Sequence, residues 1–148
     1  MPRIILAAAT LGGVGYLPLM PGTWGTAAAL PLWVLLAQLG PWGYGLAFAG
    51  LVAAALAVAG PAQELLGKTD HGAIVIDEAA GLLVTLAGAP LTWTWAAAGF
   101  CAFRVLDILK PWPIRALSRG DGGLEVVLDD LLAGVLARLG LEIILGGS

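Results

Sequence analysis

From residue 4 to residue 63 the chain carries no charged side chain. A stretch that long without charge cannot cover a water-facing surface, so it must be buried in protein or face lipid. The rest of the chain does little to offset it. Of 148 residues, 59% are hydrophobic and 11% charged, against a usual charged share of roughly 25%. The mean hydropathy is +0.93. A membrane, or a large interface in a homo-oligomer, is where such an excess of apolar area belongs. Within the stretch, segments 27–39 and 44–59 are apolar and flank Gly40-Pro41-Trp42-Gly43, which reads as a tight turn. Each segment is shorter than the roughly 20 residues of a perpendicular span. The expectation is a helical hairpin that enters or nearly crosses a bilayer; a soluble all-α bundle with a dimer interface is the alternative. Gly45, Ala49, Gly50 and Ala54 supply small residues that let helices approach closely.

The length fits one domain, residues 1–148. Segment 61–72 is polar and reads as a loop. A second apolar block, 73–103, is broken at Gly88-Ala89-Pro90 and reads as two helices. A last helix covers 124–145, after Asp121-Gly122-Gly123 as break and cap. The fold class is therefore all-α: a compact bundle of five or six short apolar helices, membrane-associated. If Gly40-Pro41 and Gly88-Pro90 are turns at the far side, the loops 12–26, 61–78 and 104–125 share the near side. Arg3, Lys68, Arg104, Lys110, Arg115 and Arg119 then lie together, on the side that the positive-inside tendency makes cytoplasmic. The six tryptophans (24, 33, 42, 93, 95, 112) read as interfacial anchors and core fillers.

Several function classes drop out. No basic patch exists to neutralise nucleic-acid phosphates. The single Cys101 cannot form an intrachain disulfide. Gly12, Gly13, Gly15, Pro18 and Pro21 stand where a signal cleavage site would lie, so the N-terminus does not read as a cleaved signal. There is no Walker-type loop, no Cys-x5-Arg loop and no Glu-x-x-His pair. The lone His71 follows Asp70 in a polar segment and reads as a surface residue.

The acidic residues are more informative. Asp77-Glu78 and Asp129-Asp130 are both adjacent pairs after three aliphatic residues, each followed by a small residue three positions beyond the second acid (Gly81, Ala133). Neighbours on a helix lie about 100° apart, so each pair pushes one carboxylate toward the apolar side. Burying a carboxylate without a partner costs several kcal/mol. Two such pairs are tolerable if they face each other across a metal. A third element, Arg104-x-x-Asp107-x-x-Lys110, forms a cation–carboxylate–cation stripe that Pro111 and Pro113 terminate. Such a stripe suits phosphate bound beside Mg²⁺; taken alone, an intrahelical salt-bridge ladder explains it better. A fourth, Pro21-Gly22-Thr23-Trp24-Gly25-Thr26, offers Thr23 as an N-cap and a helix start able to hold phosphate.

Together, Pro21-Gly22-Thr23-Trp24-Gly25-Thr26, Ile76-Asp77-Glu78-Ala79-Ala80-Gly81, the block Phe103 to Pro113 and Leu128-Asp129-Asp130-Leu131-Leu132-Ala133-Gly134 resemble the phosphatidylglycerophosphatase A family. The order and spacing match over nearly the whole chain, and Arg-x-x-Asp-x-x-Lys-Pro-Trp-Pro is the most specific block. Tyr16-Leu17 and Asp70-His71-Gly72 depart from the pattern. The resemblance implies a bacterial, Mg²⁺-dependent hydrolase that takes phosphatidylglycerophosphate to phosphatidylglycerol at the cytoplasmic face of the inner membrane. With the residues, it yields an assignment. Asp77, Glu78, Asp107, Asp129 and Asp130 are expected metal ligands or water activators. Arg104 and Lys110 are expected on the phosphate with Thr23 in support, and Asp107, Lys110, Arg104 and Asp130 carry catalysis. Two other classes stay open, a non-catalytic membrane scaffold and a binder of Mg²⁺ or anionic lipid.

Overall fold

A computed structural model describes residues 1–68, 71–120 and 122–146. Asp70 and Asp121, both named above, lie outside them. The described residues form α1 (Pro2–Ala9), a 3₁₀ turn (Val14–Tyr16), α2 (Pro21–Ala37), α3 (Gly40–Leu66), α4 (Ile76–Thr85), α5 (Trp93–Leu109), α6 (Ile114–Leu117) and α7 (Gly123–Leu145), with no strand. The all-helical expectation holds. Among the described residues the helices number seven rather than five or six, because short α1 and α6 add to the apolar segments.

Three boundaries differ from the sequence reading, and proline explains them. Helix α2 begins at Pro21, not near residue 27, because proline at the first helical position gives up an N–H that has no partner there anyway. Thr23 is therefore inside the first turn, and Met20, not Thr23, is the N-cap. Pro41 likewise opens α3 where a turn was expected, and α3 continues through Pro61 to Leu66 where a loop was expected. Pro31 and Pro61 are both exposed, on helix faces away from the core. Gly67, at φ 68°, ends α3: its N–H donates to the Glu64 carbonyl and that of Lys68 to the Gln63 carbonyl, a Schellman stop.

Helix α4 is the axis of the fold. It packs on α2, α3, α5 and α7, and Ile76, Asp77, Ala79, Ala80, Gly81, Leu82, Leu83 and Thr85 are buried. Its last carbonyls, orphaned by the helix end, are claimed by neighbours. Tyr44 Oη donates to the Leu83 carbonyl (2.5 Å) and Trp33 Nε1 to the Leu86 carbonyl (3.0 Å). Its crossing with α7 is close because both helices carry glycine there. A Cβ on Gly134 would strike the Gly81 carbonyl and Val84, and one on Gly81 would strike the Phe103 ring and the Asp130 carbonyl. That approach brings the first turn of α4 beside Asp129-Asp130.

The two expected far-side turns do lie together. Gly40, Pro41 and Tyr44 line one cavity of about 600 Å³ with Gly88, Ala89 and Leu91. Helix α3 has 27 residues, about 40 Å at 1.5 Å per residue. It is the one helix among those described that is long and apolar enough to cross a membrane, and only 17% of its apolar window is buried in the protein. Trp33 and Trp95 are buried, whereas Trp42, Trp93, Trp112 and Trp24 are exposed, so the tryptophans divide between core and surface.

The glycine crossing predicts a contrast. Gly134→Ala should lower stability by about 1–3 kcal/mol through overpacking. Gly140→Ala has nothing within 4 Å of its new methyl and should be neutral or raise stability by about 0.4–1 kcal/mol. Thermal unfolding of both variants in detergent checks this; equal effects would show that the close approach is not needed.

Candidate active site

The starts of α2 and α4, the end of α5 and the N-terminal third of α7 meet opposite the far-side turns. Helix α4 contributes Asp77 and Glu78 from its first turn, where the positive end of the helix dipole favours acids. Asp77 Oδ1 accepts from the Glu78 backbone N–H (3.1 Å). Helix α7 contributes Asp129 and Asp130, both buried. Helix α5 ends in Arg104, Asp107 and Lys110. Helix α2 presents Gly22 edge-on: a Cβ there would lie 2.5 Å from Glu78 Oε1 and 3.0 Å from Arg104 Nη1. Both are the ends of flexible side chains that could shift, so the contact marks how closely α2 approaches the site.

The five acids expected to share a metal divide into two sets. Oxygens of Asp77, Glu78 and Asp130 lie within 4.8 Å of one another. Asp107 and Asp129 are instead turned onto cations. Arg104 Nη1 donates to Asp107 Oδ2, and Lys110 Nζ donates to Asp129 Oδ2 while standing 3.9 Å from Asp107 Oδ1. The salt-bridge ladder is thus real for Arg104, Asp107 and Lys110. Lys110, whose backbone is left-handed (φ 44°, ψ 60°) at the end of α5 with Pro111 next, also reaches Asp129 on another helix and lies closer to it. Thr23 is partly buried beside Gly22 and its hydroxyl makes no hydrogen bond to the described residues. Ser118, which no motif singled out, donates to Asp129 Oδ2 (2.7 Å). A lone serine after a proline turn gives no sequence signal; only the return of the chain to α7 reveals it.

The first set is electrostatically uncomfortable without a cation. Burial pushes the Asp77 carboxyl up to about 6. Burial, then the Asp77 charge, pushes Glu78 well above the usual carboxyl range. Burial, then the charges of Asp77 and Asp107, does the same to Asp130. Glu78 Oε2 is buried with no partner. Three hard oxygen donors, one orphaned and all short of positive charge, fit a divalent cation of the Mg²⁺ or Ca²⁺ kind. Lys110 behaves oppositely: burial opposes its charge, but the Asp129 hydrogen bond and the charges of Asp129, Asp130 and Asp107 outweigh it and raise its pKa.

These shifts set a pH dependence. An acid with a raised folded pKa binds its proton more tightly folded than unfolded. The unfolded chain then holds fewer protons between the ordinary carboxyl range and the raised values, so stability falls as pH rises through that window. Without divalent cation, the melting temperature should drop between about pH 5 and 7.5, through the Asp77 value of about 6. Added cation should restore more at pH 7.5 than at pH 5, and Asp130→Asn should flatten the profile. A cation-free wild type with pH-independent melting would contradict the cluster's electrostatics.

A family model for phosphatidylglycerophosphatase A matches residues 7–145. The Escherichia coli (strain K12) protein of that name is 41% identical over 128 residues, covering 84% of this chain and 74% of that protein. A Haemophilus influenzae protein of the same name is 38% identical over 130 residues, covering 84% of this chain and 78% of that one. No solved structure matches. With its four motif blocks joined at one end of the bundle, the chain belongs to the phosphatidylglycerophosphatase A family of phosphatases.

Proposed function

We propose that the protein, a single domain over residues 1–148, hydrolyses phosphatidylglycerophosphate to phosphatidylglycerol and phosphate. The names of the two relatives support the substrate. The observation that carries the chemistry is the Asp77–Glu78–Asp130 cluster with Arg104 and Lys110 at its border. Asp77, Glu78 and Asp130 would hold Mg²⁺, which when bound polarises a phosphoryl oxygen and offsets developing charge. Arg104 and Lys110 bind and orient the remaining phosphoryl oxygens, with Thr23 at the margin. Asp107 aligns Arg104, and Asp129 aligns Lys110. Water adds to phosphorus, the ester P–O bond breaks, and the glycerol oxygen leaves with a proton.

The reaction belongs at a membrane surface. Leu19, Met20 and Trp24 are exposed beside Gly22, and Ile108, Leu109 and Trp112 are exposed beside Lys110. This apolar rim would rest in the head-group region while α3 anchors the chain. The basic residues of that end favour the cytoplasmic face of a bacterial inner membrane.

The test is phosphate release from phosphatidylglycerophosphate in mixed micelles, with and without Mg²⁺, and with phosphatidic acid as comparator. Turnover that needs Mg²⁺ and prefers phosphatidylglycerophosphate is expected; metal-dependent lipid binding without turnover would replace the enzyme by a binding protein. Variants separate the two sets of groups. Asp77→Asn, Glu78→Gln and Asp130→Asn should raise the Mg²⁺ concentration for half activity or abolish turnover. Arg104→Met and Lys110→Met should lower kcat/KM about ten- to a hundredfold at an unchanged Mg²⁺ midpoint. If the cation variants shift that midpoint as far as the carboxylate variants do, Arg104 and Lys110 serve the carboxylates and not the phosphate.

A further inference from the structure

We infer that Ser118 is a positioning residue for Lys110, acting through Asp129. The inference rests on the reading above that Lys110 meets the substrate phosphate. A lysine ammonium sits on a flexible four-carbon stem, so as a phosphate contact it must be held without being used up. The left-handed backbone of Lys110 sends its ammonium to Asp129 on α7. A lone Lys–Asp pair would direct the cation at the carboxylate alone. Here the same oxygen, Asp129 Oδ2, also accepts the Ser118 hydroxyl (2.7 Å). That hydroxyl lies 3.2 Å from the Ile114 carbonyl as well; its single proton goes to the nearer, charged acceptor. The second hydrogen bond fixes the carboxylate's rotation and disperses its charge. The other ammonium protons are then free to face a phosphate at a defined place.

The chain between the two residues is built to make this meeting. Pro111 and Pro113 end α5 and reverse the direction. Ile114 is fully buried and pins α6, whose backbone closes through Arg115 N–H to the Pro111 carbonyl and Ser118 N–H to the Ile114 carbonyl. Ser118 is the last residue of that bracket and the one that touches the charged network. Asp129 Oδ1 is buried without a partner, which leaves open one rival role for Asp129, as a metal ligand. The experiment must therefore read the Mg²⁺ requirement as well as the substrate.

Ser118→Thr and Ser118→Val are the pair to compare, since they differ by the hydroxyl at nearly equal shape; Ser118→Ala is the third. The assays are turnover against substrate and Mg²⁺, and calorimetric binding of inorganic phosphate with Mg²⁺ present. Ser118→Val and Ser118→Ala should raise KM and weaken phosphate binding about three- to tenfold, as loss of one hydrogen bond allows. They should leave kcat within about twofold and the Mg²⁺ midpoint unmoved. Ser118→Thr should restore both. In a Lys110→Met background, Ser118→Ala should have no further effect. Equal effects of Ser118→Ala in both backgrounds, or no difference between Thr and Val, would overturn the inference. So would a shift in Mg²⁺ midpoint as large as that of Asp130→Asn. Phosphate binding keeps the two readings apart. A wild type that binds phosphate without turnover, weakened by Ser118→Val, removes the activity and keeps the positioning role; wild-type turnover with wild-type-like Ser118→Val removes the role alone.

Discussion

Carboxylates crowded into a poorly hydrated place repel one another, and most of the site follows from how that repulsion is met. Asp77, Glu78 and Asp130 lie together, Asp77 and Asp130 buried, with Asp107 and Asp129 close by. Two of them are answered by guanidinium and ammonium groups of the chain itself. The other three have no such answer, and their raised affinity for protons is the mark of a place prepared for positive charge. The division is what makes the arrangement chemically useful: one set can take a cation while the other keeps Arg104 and Lys110 oriented.

The fold exists around that division. Helix α4 is short, central and nearly all buried, so its polar first turn can only be placed where other helices also begin or end. Tyr44 and Trp33 satisfy its C-terminal carbonyls, which fixes α2 and α3 around the opposite end. The glycine-to-glycine crossing with α7 then sets the separation between Asp77 and Asp130. The packing of α4 on α7 brings these acids together. The same economy leaves the apolar surface of α3 largely uncovered by the described residues, and α3 is long and apolar enough to cross a membrane.

Much of this was legible in the sequence. A charge-free stretch of such length excluded an ordinary water-covered surface. Paired acids after aliphatic runs marked α4 and α7, because helical periodicity forces one acid of each pair inward. The Arg-x-x-Asp-x-x-Lys stripe before Pro111 marked the end of α5. Helix limits were less legible where proline stood, at Pro21, Pro41 and Pro61. Proline reads as a breaker in the sequence, yet it is accepted in a first turn or on an outward face.

What the sequence by itself determined is the inventory: all helices, an apolar excess too large for a water-covered surface, five acids and two cations in three short blocks. Only the tertiary structure decided the partnerships. Lys110 keeps Asp107, three residues away in sequence, at 3.9 Å, but its closer partner, Asp129, comes from a second helix. Ser118 carries no local signal and gains its place only when α6 folds back. Gly22 meets the side-chain ends of Glu78 and Arg104 only in the folded chain. Spacing along one helix ranks neighbours by rotation and rise. The choice between a neighbour on the same helix and one on another is made by the distance between helices, which spacing along one helix does not contain.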